Sequence, residues 1–383
     1  MRILLTIHLP LDPNGGGAGT TVDLARAYES EGHSVRVLSY DDLPAKVRGR
    51  GQELAFPWYL AAWLRRYAAR HRVDVVDAST GDAWLWSAFR NGGGPLLVTR
   101  SHGLEHMAHI ERVKDAEAGA ASLSWKYPLY YGGLRLWEVA TSLRRADLAF
   151  FLNRHDRDYS VERLGVAADR AHVIHNGLPA YFLGLDLPRA VEGPLRIAQV
   201  GSYIERKGVR YGAPALTAVL RRHSDVEVTF LGPCCPEERV HADFPVDVRD
   251  RVKVVPSYRR EELPRLLAEH HIKLFPTLFE GFGKAAVEAM ACGLAPVTTT
   301  APGPTEFVRD EENGLLVPPR DAGALEEALE RLVADPALLG RLRARAYETA
   351  QGFSWEHIAR TRLSLYESRL STRRGAAAAT AAR

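Results

Sequence analysis

Glu280 and Glu288 flank a glycine turn with seven residues between them, and Arg206 and Lys207 stand side by side upstream. Adjacent cations suit a diphosphate, because arginine grips phosphate with a planar fork and lysine acts as a point charge. Glu280-Gly281-Phe282-Gly283 forms a turn whose glycines let backbone amides approach a ligand closely. Good helix formers follow over residues 284–291 until Cys292-Gly293 stops them. A strand, a glycine turn and a helix N-terminus in that order make a site for an anion, usually phosphate. His102 lies just beyond an apolar run at 96–99, where α/β sheets bind ligands. Two carboxylates or one histidine are commonplace alone; the setting gives these their weight.

Such residues must be held by strands that end at a common edge. Residues 3–7, 34–40, 73–77, 96–99 and 147–153 are short runs of buried-strand type, separated by helical stretches at about 21–31 (ended by Gly32), 57–73 and 154–164. This order predicts βαβ units and a parallel sheet. Residues 107–145 are expected to be helical and carry Trp125, Tyr127, Tyr130, Tyr131 and Trp137. In the stretch 57–73, Trp58, Leu60, Ala61, Leu64 and Ala68 fall on one side, with Arg65, Arg66, Arg70 and Arg72 elsewhere. Packing on the sheet is the favoured reading, with weak peripheral contact to a membrane as the alternative. Asp82 and Trp84 fall in the loop after the third strand.

Residues 183–194 read as a linker. A second sheet then restarts at 195–200 and continues through 226–232, 252–255, 272–275, 295–300 and 315–318, with Asp321 opening a helix to about 334. An amphipathic helix at 355–370 precedes an alanine-rich end, 371–383, expected to fray. Two domains follow, 1–183 and 195–354.

With 383 residues the chain is about twice a usual domain, and 46% hydrophobic residues are enough for two cores. Fifty Lys and Arg against 47 Asp and Glu leave a net charge of +3, which makes no general case for nucleic acid. Three cysteines, two of them adjacent (Cys234 and Cys235), do not form a disulfide framework, so a reduced, cytoplasmic setting is expected. No ligand cluster has zinc-site spacing, so no metal is expected. The opening residues resemble a first strand more than a signal peptide, and no apolar run is long enough to span a bilayer. A dinucleotide loop would need glycine at position 20, which is threonine, and there is no Gly-Lys-Ser/Thr.

Set within EGFG…EAMACGLAPV, the Glu280/Glu288 pair resembles the E-x7-E pattern of retaining glycosyltransferases of the GT-B fold, family 4 type (glycosyl transferases group 1). The resemblance is strong over 195–320, moderate over the first strand and glycine loop, and weak over 40–145. It implies two Rossmann-like α/β domains with parallel sheets facing an interdomain cleft. The first would bind the acceptor, with helix 355–371 packing back on it, and the second the nucleotide-sugar donor. It places Glu280 near the donor sugar and Glu288 on the ribose hydroxyls, with Gly281, Phe282, Gly283 and Lys284 at the sugar and diphosphate. Arg206 and Lys207, after Gly201, would stabilise the leaving diphosphate. Gly15, Gly16 and Gly17 would face the donor phosphates, and His102, ahead of His106, would contact the sugar near the reacting centre. Ser257 and Tyr258 would lie beside the nucleobase, and residues 301–306 resemble the family's donor loop. His175 stands where the family usually has proline.

The implied reaction moves a hexose-type sugar from a nucleoside diphosphate, UDP favoured, to an acceptor hydroxyl with retained anomeric configuration and without metal or cofactor. A sugar-nucleotide epimerase or phosphorylase, or a non-catalytic nucleotide-sugar-binding partner subunit, remains the alternative. Acceptor and oligomeric state stay open.

Overall fold

A computed structural model describes residues 1–49, 51–90, 94–119, 122–186 and 193–381, with side chains to residue 375. Most of the expected linker, 187–192, and the last two residues of the expected frayed end lie outside the described residues. The chain divides into two compact units, Met1–Gly177 with Trp355–Arg383, and Leu178–Ser354.

The first unit runs β1 (Arg2–Thr6), α1 (Gly16–Ser30), β2 (Ser34–Leu38), α2 (Gln52–Ala68), β3 (Val75–Ser79), α3 (Trp84–Ala88), β4 (Leu96–Arg100), α4 (Glu105–Glu117), α5 (Arg135–Arg145), β5 (Leu148–Phe151), α6 (Arg154–Leu164) and β6 (Ala171–Val173). All pairs in its six-stranded sheet are parallel, in the order β2-β1-β3-β4-β5-β6. Strands β3 and β4 are buried at every position, as a parallel sheet covered on both faces requires.

The second unit runs β7 (Leu195–Val200), α7 (Val209–Arg222), β8 (Val226–Leu231), α8 (Glu237–His241), β9 (Val252–Val255), α9 (Leu263–Leu267), β10 (Ile272–Phe275), α10 (Lys284–Ala291), β11 (Ala295–Thr299), β12 (Leu315–Val317), α11 (Ala322–Ala334) and α12 (Pro336–Gln351). Its six parallel strands are ordered β12-β11-β10-β7-β8-β9. Ile272 and Leu274 of β10, Ile197 of β7 and Val297 of β11 share one core with Leu216 and Leu220 of α7 and Leu329 of α11.

The chain then re-enters the first unit as α13 (Trp355–Ala381). Alternation along β1 sends Ile3 and Leu5 to the face covered by Leu24 and Tyr28 of α1 and by Trp355, Ile358, Leu363 and Tyr366 of α13. Leu4 faces the other way, toward Leu60 and Leu64 of α2. A polar knot fixes α13: the Tyr366 hydroxyl donates to Asp77 Oδ2 at 2.8 Å and meets Tyr28 Oη at 2.8 Å, while Arg100 Nη1 donates to Asp77 Oδ1 at 2.9 Å.

Several expectations need correction. Helix α1 begins at Gly16, not near residue 21. Its weak helix formers are held by packing, since Ala18, Thr20, Thr21, Leu24 and Tyr28 are buried, and the Thr20 and Thr21 hydroxyls find partners in the carbonyls of Gly16 and Gly17. Helix α2 begins at Gln52 and contains Pro57 at its sixth position, where it forgoes the bond its N–H would give the Glu53 carbonyl. Trp58, expected on the packed side, is 63% exposed. Residues 107–145 are not one helical stretch, since α4 ends at Glu117 and helical turns resume only at Tyr130. Trp84, expected in a loop, opens α3, and the alanine-rich end continues α13 to Ala381 instead of fraying at 371, as alanine's helix propensity allows.

Candidate active site

In the second unit the strand order reverses between β7 and β10, with successive strands stepping outward on either side. Open α/β sheets bind ligands beyond the strand ends at such a switch point. The turns after β7 and β10 carry Arg206, Lys207 and Glu280.

These turns are locked together through backbone. Gly208 has φ +72°, and a Cβ there would stand 1.7 Å from Pro276 O. Leu278 N–H donates to Arg206 O at 3.0 Å, and Arg206 Nη1 donates to Phe279 O at 2.9 Å. Arg206 Nη1 also lies 3.2 Å from Glu280 Oε1, the oxygen to which Lys207 Nζ donates. Thr277 Oγ1 is 3.3 Å from that same oxygen. Burial alone would raise the Glu280 carboxyl's pKa, but Lys207 and Arg206 hold it below the usual range. The result is a carboxylate anchoring two cations, with the Arg206 side chain still 46% exposed. From the far side, Gly303, at φ +98°, would put a Cβ 2.9 Å from Glu280 O, so the 301–306 loop presses on the same turn.

Gly283, at φ +95°, is the N-cap of α10 and supplies no capping side chain. The positive end of the helix dipole therefore points out beside the two cations' turn. Phe282, expected among the donor contacts, is itself buried, its ring 5.2 Å from Phe307 and 5.6 Å from Phe353. Its backbone is the part that could serve a ligand. One α10 turn further, Glu288 is buried and meets Arg260 Nε and Nη2, each at 3.4 Å, with Lys284 Nζ at 3.9 Å. Gly201, at φ +104°, has open space where a Cβ would be. Tyr258 packs against Gly232, where a Cβ would stand 2.9 Å from its ring. Burial and then Glu288 push the Tyr258 hydroxyl's pKa up.

Three of the expected residues are thus brought together (Arg206, Lys207, Glu280), and Glu288 lies on the adjoining helix. Arg260, its ion partner, was missed. Its sequence neighbourhood is an ordinary charged turn, and only the fold brings it to a carboxylate 28 positions away.

The first unit has its own switch point, between β1 and β3. His8 follows β1, and its Nδ1 lies 2.7 Å from Asp82 Oδ1 beyond β3. Asp82 also accepts from Thr6 Oγ1 at 2.6 Å. Arg135 of α5 reaches the same place, with Nη2 3.2 Å from Thr80 Oγ1, 3.2 Å from Glu105 Oε1 and 3.4 Å from His8 Nε2. Around it Trp84 stacks edge-on with Trp58 and Trp137, at 6.5 and 5.1 Å, and the latter two are 63% and 50% exposed. Of this group the sequence had flagged only Asp82 and the aromatics, without a role. His8 and Arg135, 127 residues apart, meet only through the fold.

Gly15 is the N-cap of α1 and Gly16 and Gly17 its first turn, so the glycines form a helix start instead of a free loop. His102 follows β4 with a buried Nε2 that has no hydrogen-bond partner among the described residues. Burial and then the Arg100 guanidinium hold it well below the usual imidazole range, so it is a neutral ring near pH 7. His106 is buried in α4 and likewise lowered by burial.

Residues 194–335 match the family model described as Glycosyl transferases group 1, and residues 14–180 match Glycosyltransferase Family 4. A relative from Mycolicibacterium hassiacum, an MMP alpha-(1->4)-mannosyltransferase, is 32% identical over 289 residues, which span 72% of this chain and 66% of the relative. Sucrose-phosphate synthase from Thermosynechococcus elongatus shares the fold with a TM-score of 0.76 at 22% identity, over 97% of this chain and 99% of that one. Anabaena HepE in complex with UDP-glucose superposes with a TM-score of 0.71 at 19% identity, over 96% of this chain and 100% of that one.

Proposed function

The chain belongs to the glycosyl transferases of group 1, family 4 type, and on that premise we propose that it moves a hexose-type sugar from a nucleoside diphosphate to an acceptor hydroxyl with retention of anomeric configuration. The observation that carries this reading is the meeting of Arg206, Lys207 and Glu280 across the β7/β10 switch point beside the N-terminus of α10.

A glycosyl donor leaves its diphosphate with growing negative charge, and preorganised cations and helix dipoles stabilise that charge most when water is excluded. Arg206 and Lys207 meet the diphosphate, the α10 N-terminus adds a fixed positive field, and Glu280 stays ionised to hold both cations and face the sugar. Glu288, oriented by Arg260, takes the ribose hydroxyls. Gly201, Gly281, Gly283 and Lys284 border the diphosphate. UDP is the favoured nucleotide, supported by the UDP-glucose complex of HepE. The first unit binds the acceptor, with His8, Asp82, Arg135 and Glu105 as its polar group and the exposed tryptophans as a wall.

The departing phosphate, on the same face of the sugar as the acceptor, takes the acceptor proton. Two protein cations in the leaving-group site support a metal-independent reaction, so activity should survive EDTA. A cytoplasmic setting fits a donor made in that compartment.

The test is incubation with UDP-, GDP-, ADP- and dTDP-sugars and a panel of hydroxyl acceptors, following nucleotide release and the product's anomeric proton by NMR. An unchanged anomeric configuration supports the reading. Inversion contradicts the mechanism, and absence of both transfer and hydrolysis with every donor contradicts the activity.

A further inference from the structure

Lys273 lies on β10, an interior strand, level with Ala198 of β7 and Pro296 of β11. Ile272 and Leu274 on either side enter the apolar core, so alternation places Lys273 on the opposite face with Phe275. It is fully buried, and its Nζ has no hydrogen-bond partner among the described residues. A charged ammonium in such a place is strongly disfavoured, and a buried amine commonly sheds its proton instead.

The location is what makes this amine more than a packing residue. Lys273 Nζ lies 5.4 Å from the centroid of the Phe275 ring, and Lys207 Nζ lies 5.1 Å from the same centroid. Phe275 in turn packs on Gly283, where a Cβ would stand 3.0 Å from Cε1 of the ring. The amine thus shares the Phe275 ring with Lys207, and that ring packs on the α10 N-cap. The charged groups acting on it are Lys207 from the turn after β7, Glu280 from the turn after β10, and Glu288 from α10. Arg206 and Arg260 stand beyond these, each against one of the two carboxylates. Ala198 and Pro296, its level neighbours on the flanking strands, carry no charge. Burial and then Lys207 push the amine's pKa well down, against the opposing pull of Glu288 and Glu280.

We propose that Lys273 is a reserve charge of the diphosphate site: an uncharged amine in the free protein that takes one proton from solvent when a nucleoside diphosphate sugar settles on Arg206 and Lys207. The proposal rests on the donor-site reading above. The diphosphate brings negative charge close to the Phe275 ring and neutralises Lys207, the cation that opposes protonation of Lys273. Both changes favour Nζ–H⁺, and little water intervenes to screen them. The proton returns to solvent when the nucleotide leaves. Lys273 touches no substrate; it is a positioning residue acting through field.

The experiment is calorimetric titration of the full chain with UDP-glucose at pH 7.5 in phosphate, Hepes and Tris. Their different ionisation enthalpies report the number of protons taken up. The diphosphate of an intact sugar nucleotide has no group titrating near this pH. Wild type should take up close to one proton, and its affinity should fall by up to about tenfold per pH unit as pH rises. Lys273→Met, of similar volume, should still melt cooperatively, take up almost none and lose that slope. Carbon-13 NMR of ε-labelled lysine, assigned by the same variant, should show an uncharged amine that becomes an ammonium on ligand addition. A charged Lys273 in the free protein, or equal proton uptake in wild type and variant, overturns the proposal while leaving the donor site intact. If UDP-glucose, GDP-mannose, ADP-glucose and dTDP-glucose all fail to bind, the donor reading and this proposal fall together.

Discussion

Replacing Gly208 by alanine tests whether the turns after β7 and β10 form one rigid part. The backbone at 208 has φ +72°, which costs an alanine about 1–2 kcal/mol in conformational strain alone. The new Cβ would also lie 1.7 Å from Pro276 O and 2.6 Å from Pro276 C, both backbone atoms, so one of the two turns has to move. That places the substitution among the rare large effects, above about 4 kcal/mol. Gly184→Ala is the control: φ is +68° in the same unit, with no atom of the described residues within 4 Å of the added methyl, so only the strain of about 1–2 kcal/mol applies. For a unit of this size each kcal/mol lowers Tm by about 2–4 °C, so Gly208→Ala should lose roughly 8–16 °C and the control roughly 2–8 °C. Calorimetry and far-UV circular dichroism follow the melt. The tryptophans, all in the first unit, give a fluorescence reference for the part left unchanged. Arg206 and Lys207 immediately precede the substituted residue, so nucleotide binding should fall with stability. Equal melting of the two variants, within about 1 kcal/mol, would refute the locked-turn argument.

Other outcomes follow from the same geometry. Arg260→Ala leaves the buried Glu288 carboxylate without its guanidinium and should cost about 3 kcal/mol, read by urea denaturation, with a matching loss of nucleotide affinity. Tyr366→Phe removes the hydroxyl between Tyr28 and Asp77 and should destabilise the first unit by about 1–3 kcal/mol, seen in tryptophan fluorescence melts. Burial lowers His270 and His271 to about 4, and His271 Nδ1 accepts from Arg196 N–H at 3.0 Å, which needs an unprotonated nitrogen. Both imidazoles charge more readily in the unfolded chain. Their contribution is therefore complete above the unfolded value near 6.5 and lost as pH falls toward 4, by up to about 3 kcal/mol each. His271→Asn should flatten that acid limb in pH-dependent melts.

How much of this was legible in the sequence depended on whether the signal was local. β10, the Gly281–Gly283 turn and α10 were read with their observed bounds because an apolar run, turn glycines, helix formers and a stopping glycine all lie within 25 residues. The β7 strand, its Arg-Lys turn and α7 were equally readable. Local signal failed where tertiary contacts outweighed propensity. The start of α1 holds glycines and threonines that look like loop until its buried face is seen, and Pro57 sits inside α2 where it looked like a beginning. Helix α12 was missed, although its start is locally marked by Asp335 as cap and Pro336 at the first position. The site residues divide in the same way. Arg206, Lys207, Glu280 and Glu288 announce themselves by turn and spacing. Arg260, Lys273 and the His8–Asp82–Arg135 group do not, since each matters through a neighbour distant in the chain. A lysine inside a strand reads simply as a polar interruption until the sheet shows both its faces covered.

The most direct test of the central claim is a thermal-shift screen of the protein with UDP, GDP, ADP and dTDP and their sugars. A ligand at a hundredfold excess over its Kd should add about 2.7 kcal/mol of stability. A clear shift is expected with one nucleotide, UDP first, that disappears in both Arg206→Ala and Glu288→Ala. No shift with any nucleotide, or a shift that survives both substitutions, would contradict a diphosphate site at the β7/β10 switch point.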